Sequence, residues 1–155
     1  MLVPIITAMH VVTVLLWIGG VSFVTIIIFP MLVRMGDSLE KVLMFQSVEN
    51  VFVRLARYYV VVVGITGFLL LYLTDQFSKL FTMQTLGITF MLIVWGLYSF
   101  ILLFERKIFA KVFADNKKYD PDKIMVLLSR AHWFILALSL TAVFMGVLVN
   151  HSKNF

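Results

Sequence analysis

His10 is the side chain in the first apolar stretch of the chain that is best able to bind a metal or a cofactor. No Asp, Glu, Lys or Arg occurs from Leu2 to Val33, so this imidazole lies in a run that is otherwise uncharged. An ionisable residue inside a bilayer is costly and generally faces the interior of a helix bundle. Two interpretations follow: His10 is a ligand, or it is hydrogen-bonded across helices as part of the packing.

Polar, aromatic and small side chains recur at helical spacing from His10. Thr7 supplies a hydroxyl group and Trp17 a large indole ring on the same face, while Gly19 and Gly20 allow a neighbouring helix or a flat cofactor to approach closely. An imidazole that binds a metal through one nitrogen needs an acceptor for the other. We expect Thr7 or a backbone carbonyl of a neighbouring helix to be that acceptor.

The spacing of these residues resembles that of a known family. The pattern H-x6-W-x-G-G-x9-P is formed by His10, Trp17, Gly19, Gly20 and Pro30. It resembles the first helix of the copper-resistance D superfamily and of its relative, the membrane-bound bacterial protoporphyrinogen oxidase. The pair Thr66-Gly67 is similar to part of that family's second helix, and the resemblance extends over about Met9 to Tyr72.

The two branches of the family imply different cofactors. The oxidase branch implies a four-helix membrane protein that binds haem b, with the helix-one histidine as an axial ligand, and that role falls on His10. Its second ligand is a lysine early in helix three, but this chain has no lysine between Leu80 and Phe104. The copper branch implies metal uptake through His and Met ligands.

Four apolar runs are long enough to hold these residues in a membrane. Of the 155 residues, 62% are hydrophobic and 14% are charged, whereas soluble domains contain about 25% charged residues. A helix needs about 20 apolar residues to cross a bilayer core. The sequence therefore predicts an all-α, integral membrane four-helix bundle that forms a single domain over residues 1–155. The predicted spans are Val3 to about Val33, about Val51 to Leu73, one between Lys79 and Glu105, and one between Arg130 and Lys153.

Lys and Arg are distributed unequally between the two sides of this bundle. Eleven of the 13 lie in or beside the connections between the first and second runs and between the third and fourth. The opposite side has only Lys79 and Lys153. Because cytoplasmic connections are enriched in Lys and Arg, we predict a multi-pass protein of the cell inner membrane with both termini outside. This placement of basic residues argues against nucleic acid as a partner, and the absence of cysteine excludes disulfides and thiolate ligands.

Both basic connections are predicted to be extensions of helices. Asp37 and Glu40 have the spacing of a capping box, and the residues from Leu39 onward have helical spacing into the second span. The pair Asp120-Pro121 is typical of a helix start, with Asp as the cap and Pro at the first position. The third and fourth helices are thus expected to protrude as a charged hairpin.

The rise of about 1.5 Å per residue in a helix indicates which residues lie at the level of His10. Glycines at this level leave space either for a flat macrocycle or for close packing of helices. Met91 and Met145 are candidate axial ligands of a haem, because thioether sulfur binds haem iron, and candidate ligands of copper. The segments at this level are Gly64 to Gly67, Gly87 to Met91, and Thr141 to Met145.

A second imidazole, His132, lies close to the predicted cytoplasmic boundary. It is roughly 15 Å from His10 along the bilayer normal, so one haem cannot bind both. With Arg54, Arg57, Tyr58 and Glu105 it is a candidate for a second site, in which the arginines would hold haem propionates or quinone oxygens. Equally, these residues are typical of the anchors found at membrane interfaces.

Three functional classes remain open from the sequence. The first is a haem b-binding membrane protein in electron transfer or porphyrin oxidation, with His10 as axial ligand. The second is a copper-handling membrane protein, and the third is an accessory subunit of a respiratory complex without a cofactor. The expected partners are membrane lipid, a quinone or another redox partner, and further copies of the chain or a larger membrane complex.

Overall fold

A computed structural model describes residues 1–35, 39–82, 85–114 and 121–151, and nearly all of them are helical. None of the residues in these ranges forms a β-strand. The elements, in chain order, are α1 (Leu2–Phe23), a π-helical turn (Val24–Ile28), α2 (Phe29–Arg34), α3 (Leu39–Leu73), a 3-10 turn (Phe77–Lys79), α4 (Leu86–Ala114) and α5 (Pro121–His151).

Among the residues that the structure describes, four helical segments are long and apolar enough to cross a membrane. Large apolar side chains cover their outer surfaces, including Leu15, Phe134 and Phe144. A helix that is apolar on all sides is typical of a lipid environment. The predicted all-α four-helix fold is thus confirmed, and the chain is a multi-pass membrane protein. The four segments are Leu2–Arg34, Leu43–Leu73, Leu86–Phe104 and Met125–Leu148.

The helices are arranged as two closely packed pairs. α1 packs most extensively on α3, and α4 packs most extensively on α5. Less extensive contacts join α3 to α4 and α1 to α5. Each helix therefore has two principal neighbours, and the space between the two pairs is where a cavity can form.

Two predicted helix extensions agree with the structure. α3 is one continuous helix from Leu39, so the segment before the second span does run into it. α5 begins at Pro121, in agreement with the preference of proline for the first helical position. The proposed caps Asp37 and Asp120 lie outside the described residues.

The first span is interrupted by the π-helical turn just before Pro30. Proline has no N–H group, and in a regular α-helix its ring would clash with the carbonyl four residues earlier. Here the Phe29 N–H bonds to the Val24 carbonyl, five residues back, which widens the turn. Inside it, Thr25 is fully buried and donates its hydroxyl proton to the Val21 carbonyl at 2.7 Å.

The buried side chains of the described residues form two clusters, the first before this turn in α1 and the second beginning within the turn. The first, called here the Trp17 cluster, consists of Trp17, Val21, Val60, Val63, Val94, Tyr98, Leu136 and Ala142. The second, the Phe29 cluster, consists of Val24, Ile28, Phe29, Leu32, Phe45 and Met125. The interior of the bundle is therefore divided into two halves along the helix axes.

Candidate functional site

A cavity of about 720 Å³ lies between the two helix pairs, in the half of the bundle that contains His10. This volume falls within the range of small-molecule and cofactor sites, roughly 300–1,000 Å³. All four long helices contribute to its wall, and the described lining residues include no Asp, Glu, Lys or Arg. The predicted residues that line it are His10, Trp17, Gly64, Gly67 and Met91.

His10 is held by a hydrogen bond from another helix. Its Nδ1 atom lies 2.8 Å from the Oγ1 atom of Thr66 on α3. The Thr66 hydroxyl has a single proton, and it donates that proton to the Val62 carbonyl at 2.7 Å. Oγ1 must therefore accept a proton from the imidazole, which places the His10 proton on Nδ1. Nε2 is left with its lone pair and is the nitrogen that can bind a metal.

Gly67 allows the His10 ring to lie directly on α3. A Cβ atom at this position would be 3.2 Å from Cε1 of His10 and 3.7 Å from Nδ1, which is too close for a comfortable fit. The pair Thr66-Gly67 thus has a physical role: Thr66 orients the imidazole and Gly67 provides the space. The expected acceptor was Thr7 or a backbone carbonyl of a neighbouring helix. The neighbouring helix does supply the acceptor, but through the Thr66 hydroxyl, while Thr7 bonds to the Val3 carbonyl of its own helix at 2.9 Å.

Gly64 serves close packing as well as the cavity wall. The indole of Trp95 on α4 lies over it, and a Cβ at Gly64 would be only 2.6 Å from Cζ2 of that ring. From this position the Nε1–H of Trp95 donates to the Val60 carbonyl at 2.9 Å. The glycines were interpreted as leaving space for a cofactor or for close packing of helices. Gly64 does both, since it lines the cavity and accommodates the Trp95 side chain.

The glycines of α4 and α5 bring these two backbones together. A Cβ at Gly87 would be 2.8 Å from the Met145 carbonyl oxygen and 2.9 Å from the Cα of Gly146. The Met91 side chain packs directly against Gly146. Met91 lines the cavity, whereas Met145 is not among the lining residues and contributes its backbone carbonyl to this contact.

Trp17 is a lining residue with an unsatisfied polar atom. Only 4% of its surface is exposed, and within the described ranges its Nε1 atom has no hydrogen-bond partner. Its ring meets the ring of Tyr98 edge to face, with centroids 4.4 Å apart. The Tyr98 hydroxyl is 3.0 Å from the Oγ atom of Ser139, and Ser139 donates to the Ile135 carbonyl at 2.7 Å. Tyr98 is therefore the donor to Ser139.

Polar side chains border the cavity at the end where α1 begins. Thr7, Thr74 and Gln76 are among the lining residues. Thr7 and Thr74 donate to carbonyls of their own helices, so their oxygens remain available as acceptors. Gln76 was missed by the sequence analysis, because it lies in a connection and carries no spacing signal.

The structure does not bring Arg54 and Arg57 to this cavity. Both lie on α3, Arg54 exposed and Arg57 half-buried, and neither is a lining residue. Gly67 contacts His10 ten residues further along the same helix, which corresponds to about 15 Å. A ligand that binds at His10 thus has Thr7, Thr74 and Gln76 nearer to it than either arginine.

His132 lies in the other half of the bundle, as predicted from its depth. Its Nδ1–H donates to the Leu128 carbonyl of the same helix at 3.0 Å, and its ring packs on Phe29 with centroids 4.7 Å apart. It does not line the cavity. The described side chains include no group of three or more His, Cys, Asp or Glu that could hold a metal ion.

Comparisons with protein-family models, with curated proteins and with solved structures find no match for this chain.

Proposed function

We propose that this protein binds haem b in the cavity through Nε2 of His10 and acts in electron transfer or porphyrin oxidation in the membrane. The hydrogen bond between His10 and Thr66 beside an apolar cavity is the observation that carries the proposal. A histidine that binds a metal almost always donates its other N–H to a fixed acceptor. Thr66 already occupies the position of that acceptor.

The chemistry of the donor set suits a haem better than an ion held by the protein alone. A haem brings its own four nitrogen ligands and needs one or two axial side chains from the protein. Cysteine is absent from the chain, and no cluster of three or more His, Asp or Glu occurs in the described part of the chain. A single oriented imidazole is sufficient for a haem and insufficient for most other metal sites.

The remaining lining residues have definable roles. Met91 is the candidate for a second axial ligand, because it is the methionine that lines the cavity; Met145 is less suited, since its carbonyl packs against Gly87. Gly67 keeps the imidazole close to α3. The side-chain amide of Gln76, which also lines the cavity, has N–H groups that could donate to a propionate, whereas Thr7 and Thr74 use their hydroxyl protons within their own helices.

When bound, the haem iron would supply the one-electron chemistry. The protein contributes the axial imidazole, an apolar wall that excludes water, and the orientation of His10 by Thr66. Burial of this kind controls the redox potential of a haem. Electron transfer needs only these parts, whereas porphyrin oxidation also needs a substrate site. The lysine that serves as the second haem ligand in the oxidase branch is absent from helix three.

Copper handling is the second candidate function. His10 and Met91 line the same cavity, and imidazole with thioether suits copper. The absorption spectrum of detergent-purified protein tests both: we expect a Soret band and, after reduction, an α-band at about one haem per chain. Copper in stoichiometric amount without a Soret band would replace the haem proposal. If the purified protein contains neither haem nor copper, the third function, an accessory subunit without a cofactor, is favoured.

The distribution of Lys and Arg supports a location in the cell inner membrane with both termini outside. Eleven of the 13 are on one side, which is expected to face the cytoplasm. Reporter fusions at Asp75 should be active in the outer compartment and fusions at Asn116 in the cytoplasm. The reverse pattern would place His10 in the cytoplasmic half of the bilayer.

A further inference from the structure

Two gaps between helices border the cavity at His10. α1 packs mainly on α3 and α4 packs mainly on α5, so the less extensive contacts are those between α3 and α4 and those between α1 and α5. Residues of all four helices line the cavity. A ligand as large as a porphyrin must enter through one of these gaps or through an end of the bundle, so the side chains in each gap indicate the route.

The gap between α3 and α4 is closed by Trp95. Its indole ring lies over Gly64, and its N–H donates to the Val60 carbonyl at 2.9 Å. The same ring meets the ring of Phe68 edge to face, with centroids 5.4 Å apart. Opening this side would break the hydrogen bond and separate the two rings, so we do not expect a ligand to enter here.

The gap between α1 and α5 is open to the outside of the bundle. Leu15 on α1 is 67% exposed and Val147 on α5 is 59% exposed, although both line the cavity. Gly19 also lines the cavity and is exposed, and a Cβ atom there would meet open space. Among the described residues, no hydrogen bond or ring contact joins residues 11–19 of α1 to residues 140–147 of α5.

The depth of this gap indicates that it faces the acyl chains of the lipid. Its edge on α1 includes Val11, Leu15 and Gly19, which follow each other by one helical turn. Val11 is about 14 Å and Gly19 about 26 Å from the first residue of the span Leu2–Arg34 along the helix axis. Both depths lie within a hydrocarbon core that is about 30 Å thick. A ligand that passes through this gap therefore comes from the lipid phase.

The end of the cavity near the start of α1 is polar instead. Thr7, Thr74 and Gln76 border it. A haem dissolved in a bilayer keeps its ring among the acyl chains and its charged propionates at the headgroups, because a charge in hydrocarbon is costly. Sideways movement through the gap between α1 and α5 preserves both depths. It takes the ring into the apolar part of the cavity and leaves the propionates at the polar end.

We propose that haem b enters the cavity from the bilayer through the gap between α1 and α5, called here the lateral opening. The inference rests on the proposed function, since it assigns a route to the haem that His10 binds. It also specifies the source of the haem, which is the lipid phase and not a soluble carrier protein. The residues of the lateral opening are Val11, Leu15, Gly19, Leu140 and Val147.

Gly19→Phe tests this route by filling the lateral opening. A helical side chain covers the turn that precedes its own residue, so the new ring would lie over Leu15. Uptake of haem by apo-protein in vesicles of dioleoyl phosphatidylcholine is followed by the growth of the Soret band. We expect the rate of uptake to fall about 10-fold, which corresponds to a barrier higher by about 1.4 kcal/mol.

Gly96→Phe is the matched control for this substitution. A Cβ atom at Gly96 also meets open space, but Gly96 does not line the cavity. Its rate of uptake should therefore stay within about 2-fold of wild type. Leu15→Trp and Leu16→Trp repeat the comparison should Gly19→Phe fail to fold, because both leucines are exposed and Leu16 is not a lining residue.

The rate of haem release separates an entrance from a packing role. The lateral opening is also the exit, so transfer of haem from Gly19→Phe to an apo-acceptor protein should slow by the same factor as uptake. The final Soret absorbance should then equal that of wild type, since affinity is unchanged. A substitution that only damages the site would instead speed release and lower the final absorbance.

Three results would overturn the inference while leaving the proposed function intact. Equal rates of uptake for Gly19→Phe and Gly96→Phe would show that haem does not pass through the lateral opening. Slower uptake by Thr74→Phe, with an unchanged rate for Gly19→Phe, would place the entrance at the polar end. Faster release from Gly19→Phe would make Gly19 a packing residue. A wild-type protein that forms no Soret band rejects the proposed function as well, and the end point shows this before any rates are compared.

Discussion

The two histidines inside the membrane lie in halves of the bundle that are built differently. His10 donates to a hydroxyl on another helix, 56 residues away in sequence, beside a cavity. His132 donates to a carbonyl four residues earlier in its own helix and packs against Phe29. The difference teaches that an intramembrane histidine indicates a ligand site when a neighbouring helix supplies both an acceptor and space. A histidine satisfied by its own helix within a packed cluster is a structural residue.

The largest expected effect is the loss of haem from His10→Ala. The substitution removes the proposed axial nitrogen, so the purified variant should insert in the membrane and lack a Soret band. His132→Ala is the matched control, because that ring lies outside the cavity: its spectrum should equal that of wild type, with a stability loss of about 1–3 kcal/mol from reduced packing on Phe29. If His132→Ala alone removes the Soret band, the assignment of the two halves is reversed.

A smaller effect is expected from Thr66→Val. Valine matches the shape of threonine but cannot accept the His10 N–H, so the imidazole loses its fixed orientation. Haem affinity should fall about 10–100-fold, as is typical when the orienting partner of a metal-bound histidine is removed. Haem transfer to an apo-acceptor protein measures the change.

Thr7→Val is the control for that experiment. Thr7 also lines the cavity, but it bonds to its own helix, and its replacement should leave haem transfer near the wild-type rate. Equal rates for Thr66→Val and wild type would contradict the role assigned to the cross-helix hydrogen bond.

Gly64→Ala should destabilise the bundle without removing the imidazole. The new Cβ would lie 2.6 Å from Cζ2 of Trp95, and overpacking of this kind costs about 1–3 kcal/mol. The midpoint of unfolding in mixed detergent–SDS micelles measures it. Gly96→Ala is the control: a Cβ there meets open space, and alanine should stabilise the helix by up to about 1 kcal/mol. Equal unfolding midpoints for Gly64→Ala and Gly96→Ala would show that the contact between Gly64 and Trp95 does not contribute to stability.

The helices and the level of the site were predictable from the sequence for simple physical reasons. The length of the apolar runs determines which segments can span a bilayer, and the constant rise of a helix determines depth. These two rules place Gly67, Gly87 and Met91 at the level of His10, and all three do line its cavity.

The pairing of side chains was not predictable in the same way. A helix that is apolar all round carries no signal for its rotation about its own axis, so the sequence does not say which residues of one helix face another. That is why Thr7 and a backbone carbonyl of a neighbouring helix were both expected as partners of His10, whereas the structure has the Thr66 hydroxyl. Arg54 and Arg57 were assigned by depth to a second site with His132 in the other half of the bundle, and they do not line the cavity at His10.

The π-helical turn at Val24–Ile28 shifts the phase of the first span. In an uninterrupted α-helix, at 100° per residue, Met31 rather than Leu32 would lie nearest to the side of Trp17. Met31 is 38% exposed and Leu32 is 0% exposed, which agrees with one extra residue having been accommodated in the turn. The two halves of this helix are therefore independent in register. Insertions or deletions within the turn would rotate the Phe29 cluster relative to the cavity while the His10 face stays in place.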